Sequence, residues 1–264
     1  MSRPLRPTIV FYDVDRLLNT PRPPASQLAA ALAALTEERI TIVFCSHRTR
    51  AQVEGIRHET GVFHPFICEN GAAVFVPDGY FGMELSESRA IGGYDAIEFA
   101  RPYQHVVQLL YRTALRHHAN VIGFSDMSVE AVARECGLTL LQARLAKLRE
   151  YDEPFRLVHD DLQVERRLLR ALEAAGLTCT LRGRYHFVGT AAGPGAAIRA
   201  LTTLYRARFG AVFTVAAGGD AMRRRADVSF EASSNGDTQA WLDGVLQAVR
   251  EIRARATTGT VQSY

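Results

Sequence analysis

Two short and almost wholly apolar runs, residues 8–12 and 40–45, limit what this chain can fold into. Runs of this kind are typical of strands that are buried on both faces of a parallel sheet. Between them, Leu28, Leu32 and Leu35 recur at helical spacing and predict a helix with one apolar face. A strand–helix–strand order predicts a parallel sheet whose connections cross over in the right-handed sense.

The same pattern continues for one more unit. A helix is predicted over residues 49–60, since Gly61 is a good helix stop. The next apolar run, residues 65–68, leads into Glu69-Asn70-Gly71, which is a tight-turn signal. A further strand is predicted over residues 72–76. The first part of the chain is therefore predicted to be an α/β unit.

The middle of the chain follows a different pattern. Apolar residues within the range 106–115 recur at helical spacing, whereas residues 177–188 contain two strand-like runs on either side of Gly183, which is the pattern of a hairpin. Such a mixture is typical of a small α+β unit. The α/β pattern then returns, with a helix over residues 195–209 and a strand over residues 211–217. The predicted division is a core in two parts with an inserted domain between them: residues 1–84, 85–189 and 190–264.

Composition argues against several functional classes. The 264 residues carry a formal net charge of +3 that is dispersed along the chain, so a nucleic-acid partner is not expected. No apolar run is long enough to span a membrane, and the first residues lack the apolar stretch of a secretion signal. Cys45, Cys68, Cys136 and Cys179 lie far apart, which predicts buried free thiols. We therefore expect a cytoplasmic globular protein.

Polar side chains follow the predicted strands at the points where these strands end. Asp13 and Asp15 come after the first strand, and Ser46 follows the second with Arg48 behind it. Because the carboxyl ends of parallel strands meet at one edge of a sheet, these side chains should lie close together. Later strands bring further polar residues to that edge: Glu69, Asn70 and Asp220. Carboxylates there can hold Mg²⁺ or attack a phosphoryl group, although turn and helix capping would also explain single members of the set.

Several segments, in this order, resemble the haloacid dehalogenase-like phosphatase superfamily, and most of all its mannosyl-3-phosphoglycerate phosphatase branch. The resemblance is carried by residues 11–15 (Phe-Tyr-Asp-Val-Asp), 43–50 (Val-Phe-Cys-Ser-His-Arg-Thr-Arg), 69–71 (Glu-Asn-Gly), 123–130, 149–155 (Arg-Glu-Tyr-Asp-Glu-Pro-Phe) and 219–220 (Gly-Asp). These segments are spread over most of the chain, which makes the resemblance more specific than any single motif.

The resemblance implies a Rossmann-like core with an inserted α+β cap domain, Mg²⁺ as cofactor and an aspartyl-phosphate intermediate. It makes Asp13 the nucleophile, Asp15 the acid and base, and Ser46 a phosphate-binding hydroxyl. The expected metal ligands are Asp13, Asp15 and Asp220. Further substrate or phosphate contacts are expected from Arg48, Glu69, Asn70 and Arg149. For Arg48 the alternative is a solvated helix residue, and for Arg149 it is a charged helix end.

Three departures from the family pattern leave the function open. Arg16-Leu17 replace a Gly-Thr pair, residues 192–196 lack the third-motif Lys, and the loop after Asp220 is short and lacks a second acidic residue. One hypothesis is a Mg²⁺-dependent hydrolase of a small phosphorylated sugar acid such as mannosyl-3-phosphoglycerate. The alternative is a catalytically silent relative that binds a phosphorylated metabolite or a protein partner. The basic run Arg223-Arg224-Arg225 is either a solvated patch or a source of the missing cation.

Overall fold

Strands and helices alternate along most of the chain. The structure is a computed structural model that describes residues 6–15, 25–159, 161–230 and 238–257. The strands are β1 (Thr8–Asp13), β2 (Ile40–Cys45), β3 (Phe66–Cys68), β4 (Ala73–Pro77), β5 (Arg89–Ile91), β6 (Tyr94–Glu98), β7 (Val121–Gly123), β8 (Glu153–Leu157), β9 (Thr178–Arg182), β10 (Tyr185–Gly189), β11 (Phe213–Ala217) and β12 (Val228–Phe230). The helices are α1 (Ala25–Glu37), α2 (Arg50–Thr60), α3 (Tyr103–Arg116), α4 (Val129–Cys136), α5 (Leu140–Ala146), α6 (Leu162–Ala174), α7 (Gly195–Phe209), α8 (Asp220–Arg223) and α9 (Thr238–Thr257).

The larger sheet has eight strands in the order β12-β11-β1-β2-β3-β4-β6-β5. From β12 to β3 all neighbours are parallel, which confirms the predicted parallel core. Beyond β3 the pairing is antiparallel. The change occurs at β4 because only the short turn Glu69–Gly71 joins it to β3, and a parallel crossover needs a much longer connection.

Helices on both faces of this sheet explain why the run in β1 is apolar throughout. Val10 and Tyr12 pack in a core that also contains residues of α1 and α9. Ile9 and Phe11 point to the other face and pack in a core with residues of α7. Because successive side chains of a strand alternate between its faces, a strand that is covered twice must be apolar at every position.

A second sheet of four antiparallel strands has the order β7-β8-β10-β9. Helices α3 and α6 cover one of its faces, where Val106, Leu110, Phe155, Leu168 and Leu172 are fully buried together. This is the α+β unit that the middle of the sequence predicts. All its strands come from residues 121–189.

The predicted boundary at residues 84 and 85 separates strands that hydrogen-bond to one another. β6 pairs with β4, and β5 pairs with β6, so residues 89–98 extend the larger sheet. These two strands have few buried residues and lack an apolar run, which is why the sequence pattern does not reveal them. The division into three segments stays a prediction, and this pairing favours a first boundary near residue 100.

Local signals place several helix ends. Ser128 caps α4 by accepting a hydrogen bond from the backbone of Ala131 at 3.1 Å, and Gly137 ends it with φ of 65°. The four cysteines are free, but only Cys45 and Cys68 are buried, since the other two lie on half-covered elements. No described helix combines the length and apolar character that crossing a bilayer requires. The segment Arg16-Leu17 lies outside the described residues.

Candidate active site

A cavity of about 140 Å³ lies at the carboxyl edge of the larger sheet, where β1, β2 and β3 end. Asp13 and Asp15 line it from the end of β1, and Ser46 lines it from the end of β2. Asn70 and Gly219 contribute from the turn after β3 and the loop after β11. The structure therefore brings together most of the polar residues that the strand ends predict.

The carboxylate of Asp15 is engaged on both oxygens by the loop after β2. Ser46 Oγ donates to it at 2.8 Å, the backbone N–H of His47 at 2.8 Å, and Arg48 Nε at 2.9 Å. The Nδ1 atom of the His47 ring lies 2.5 Å from the second oxygen. Asp15 thus holds the loop of residues 46–48 against the end of β1.

This set of partners determines the charge of Asp15. Its burial alone would raise the pKa of the carboxyl group, but His47 and Arg48 outweigh that effect and hold the pKa well below its usual range. The group is therefore ionised at neutral pH. With both oxygens occupied, the described arrangement does not support Asp15 as a metal ligand through its carboxylate, nor as a proton donor.

The loop after β11 passes very close to Asp13. A Cβ atom on Gly218 would lie 3.0 Å from Asp13 Cβ and 2.7 Å from Met222 Sδ, so a larger residue there would displace Met222 and crowd Asp13. This packing brings the backbone at the start of α8, whose first residue is Asp220, next to the end of β1. The side chain of Asp220 lies outside the described part of the structure. Among the described residues, no group of three or more His, Cys, Asp or Glu side chains is arranged to hold a metal ion.

The turn after β3 adopts a strained backbone that fixes Asn70. Glu69, Asn70 and Gly71 have φ values of 46°, 58° and 88°, a left-handed conformation that costs energy for the two non-glycine residues. Gly71 is required, because a Cβ atom there would lie 2.5 Å from Pro194 Cα. The backbone N–H of Asn70 donates to the carbonyl of Ser46 at 3.2 Å.

Glu69 joins the larger sheet to the α+β unit. Its buried carboxylate accepts three backbone hydrogen bonds, from Glu150 at 3.0 Å, Tyr151 at 2.9 Å and Asp152 at 3.0 Å. The guanidinium of Arg149 lies 3.6 Å from the same carboxylate. Glu69 also lines a larger cavity, but its oxygens are used within the protein.

Arg149 completes this junction. Its side chain is only 2% exposed, donates to the carbonyl of His47 at 2.9 Å and pairs with the carboxylate of Asp152. Its guanidinium also lies over the ring of Phe187. Both Glu69 and Arg149 were expected to contact substrate, whereas the structure places them in a buried ionic cluster between the two sheets. We name the cluster of Glu69, Arg149 and Asp152 the junction cluster.

The junction cluster predicts a specific pH dependence of stability. Burial raises the pKa of Glu69 from 4.5 to about 7, with Asp152 adding to the effect and Arg149 opposing it. Because the folded pKa exceeds the unfolded one, the contribution to stability is complete below about pH 4.5 and is lost as the pH rises through 7. The quantity to compare is the free energy of unfolding of the wild type minus that of Glu69→Gln. We expect this difference to fall by roughly 3 kcal/mol as the pH rises from about 4.5 to above 7. Urea unfolding of both proteins between pH 4.5 and 7.5 measures it, and parallel profiles would contradict it.

A second cavity, of about 420 Å³, adjoins the first. Asn70, Arg182 and Pro194 line both cavities, and Asp152 and Phe187 line the larger one. His47, Asp152, Arg182 and Phe187 also lie at the site and were not predicted from the sequence. His47 could have been found from its place between Ser46 and Arg48, but the others approach the site only through the packing of the two sheets.

The segment that lacks the third-motif Lys forms the start of α7. Ala192, Gly193 and Pro194 line the larger cavity with their backbone and small side chains. Arg225 lies against this helix start, since a Cβ atom on Gly195 would be 3.3 Å from its Nε atom. Arg225 is not among the residues that line the cavity beside Asp13.

Comparison with known proteins identifies the family, although no protein-family model matches the sequence. A glucosyl-3-phosphoglycerate/mannosyl-3-phosphoglycerate phosphatase from Methanococcoides burtonii is 38% identical over 211 residues, which are 80% of this chain and 77% of the relative. The chain belongs to the mannosyl-3-phosphoglycerate phosphatase family. A phosphatase of the same double name from Persephonella marina is 31% identical over 77% of this chain and 75% of its own length. The mannosyl-3-phosphoglycerate phosphatase from Pyrococcus horikoshii is 28% identical over 80% of this chain and 82% of its own length.

Solved structures show the same fold. A phosphatase of the haloalkanoate (HAD) enzyme superfamily from Bacteroides thetaiotaomicron superimposes with a TM-score of 0.60 at 15% identity, covering 94% of this chain and 98% of that one. A haloacid dehalogenase-like hydrolase from the same organism gives a TM-score of 0.57 at 15% identity, covering 94% and 100%. The resemblance and the fold class predicted from the sequence are both confirmed.

Proposed function

We propose that this protein is a phosphomonoesterase that hydrolyses a glycosyl-3-phosphoglycerate, the substrate class in the names of its relatives from Methanococcoides burtonii and Persephonella marina. The observation that carries the proposal is the pair of adjoining cavities. The smaller one contains Asp13 and has room for a phosphoryl group, and the larger one can hold the remainder of a sugar acid.

The proposed reaction begins with attack of an Asp13 carboxylate oxygen on phosphorus. A bond forms between that oxygen and phosphorus, the ester P–O bond breaks, and the leaving glycerate oxygen takes up a proton from water. A second water then attacks phosphorus, the bond between phosphorus and the Asp13 oxygen breaks, and inorganic phosphate leaves with the Asp13 carboxylate restored. Proton transfer by Asp15 would require its carboxyl group to leave Ser46, His47 and Arg48. In the described arrangement Asp15 instead positions this loop.

Two of the three expected metal ligands, Asp13 and Asp220, lie where they could hold a divalent metal. Asp13 and the first residue of α8, Asp220, are brought to neighbouring strand ends by the close packing at Gly218, and we propose these two as ligands of Mg²⁺. Mg²⁺ bound there would offset the negative charge of the phosphoryl group and of Asp13. A cytoplasmic location stays a prediction.

Phosphate release tests this proposal. We expect Mg²⁺-dependent release from glucosyl- and mannosyl-3-phosphoglycerate, loss of activity with EDTA, and recovery when Mg²⁺ is restored. Sugar phosphates without a glycerate group serve as the comparison and should be poorer substrates, because they leave part of the larger cavity empty. A folded protein that releases no phosphate from any member of the panel would favour the catalytically silent alternative.

A further inference from the structure

Asp13 and an incoming phosphoryl group are both negatively charged, so their approach requires a cation. Among the described residues that line the cavity beside Asp13, Arg182 is the one with a permanent positive charge. His47 also lines this cavity, but its ring is engaged with Asp15. Arg48 is likewise held by Asp15. The segment at the start of α7 lacks the Lys that the family pattern places there.

The position of Arg182 follows from the face of its strand. Thr178, Thr180 and Arg182 alternate along β9, and all three line the larger cavity. Alternate residues of a strand share one face, so this face of β9 forms a wall of the cavity. Arg182 is the last residue of the strand and reaches the smaller cavity as well.

The guanidinium of Arg182 is anchored without being neutralised. Its Nη2 atom donates to Asn70 Oδ1 at 3.1 Å, while Asn70 Nδ2 donates to Asp152 at 3.2 Å. These bonds orient the Asn70 amide so that its oxygen faces Arg182. No carboxylate pairs with Arg182 among the residues that the structure describes. An arginine fixed through an amide oxygen retains its full charge and most of its N–H donors for an anion.

We propose that Arg182 binds the phosphoryl group of the substrate beside Asp13 and supplies the positive charge that the absent third-motif Lys would provide. The inference rests on the proposed function and names a further binding residue for it. Arg223, Arg224 and Arg225, the other candidate source of this charge, do not line the cavity beside Asp13.

The first measurement is the binding of inorganic phosphate by calorimetry at a fixed Mg²⁺ concentration, which needs no turnover. We expect Arg182→Ala to weaken binding by about 10- to 100-fold, the range for loss of a charge-assisted hydrogen bond, and Arg182→Lys to lose less. Arg184→Ala is the matched control. Arg184 follows the same strand and is exposed like Arg182, but it lies 3.8 Å from Glu135 and lines neither of the two cavities. The proposal would be overturned if the wild type and Arg182→Ala bound phosphate with equal affinity, or if neither protein bound it.

Turnover measurements distinguish the two anions of the substrate that Arg182 could bind, which are the phosphoryl group and the glycerate carboxylate. We expect kcat/KM of Arg182→Ala to fall by about 100-fold both for glycosyl-3-phosphoglycerate and for a phosphate ester without a carboxylate. A loss confined to the carboxylate-bearing ester would overturn the assignment to the phosphoryl group. A wild-type protein without activity would refute the proposed function. It would not refute phosphate binding by Arg182, because calorimetry tests that binding without turnover.

Discussion

Replacing Asp13 by Asn should lower phosphate release from glycosyl-3-phosphoglycerate by at least about 10³-fold. The amide has nearly the same volume as the carboxylate, so the side chain should still fit beside Gly218 and Met222. The loss would be chemical, because a neutral amide oxygen is a poor nucleophile and a weaker ligand for Mg²⁺. Initial rates at saturating substrate and Mg²⁺ measure the effect, and thermal unfolding shows whether the variant is folded.

Asp78→Asn is the control for this experiment. Asp78 is an exposed residue just after β4, so the same chemical change there should leave turnover unaltered. Full activity of a folded Asp13→Asn protein would contradict the assignment of the nucleophile. Activity that is reduced but restored by a higher Mg²⁺ concentration would limit Asp13 to metal binding.

The sequence predicts the parallel part of the larger sheet and its polar edge well, because both depend on local patterns. The apolar runs that become β1 and β2 define buried strands, and the residues at their ends must meet at one edge. Asp13 and Ser46 therefore line one cavity as expected. The turn Glu69–Gly71 was also predicted, because a glycine after Asn70 is a local signal for left-handed backbone.

The parts of the site that depend on packing between the two sheets were not predictable in this way. Arg149 and Glu69 are far apart in the chain, and nothing in their local sequence indicates that they are buried together. Arg182 likewise enters the site only because β9 faces Asn70 in the folded protein. A charged residue near a strand or helix end is usually solvated, so the local pattern alone does not indicate that Arg149 is buried or that Arg182 lines the site.

Replacing Arg149 by Ala should lower the free energy of unfolding by about 3–5 kcal/mol at pH 8, the usual range for breaking a buried ion pair. The reason is that Glu69 and Asp152 would remain buried without a compensating cation, and the carbonyl of His47 would lose a donor. Burial raises the pKa of both carboxyl groups. The loss should therefore be smaller at pH 5, where the pair holds a proton.

Urea unfolding at the two pH values measures this effect, with Arg89→Ala as the control. Arg89 pairs with Glu98 but is 54% exposed, so its removal should cost about 1 kcal/mol or less. The result also decides between two roles for Arg149. A substrate-binding arginine would lose turnover on replacement and keep its stability at both pH values, which would contradict the junction cluster. A large loss of stability that shrinks at pH 5 follows only if Arg149 balances two buried carboxylates.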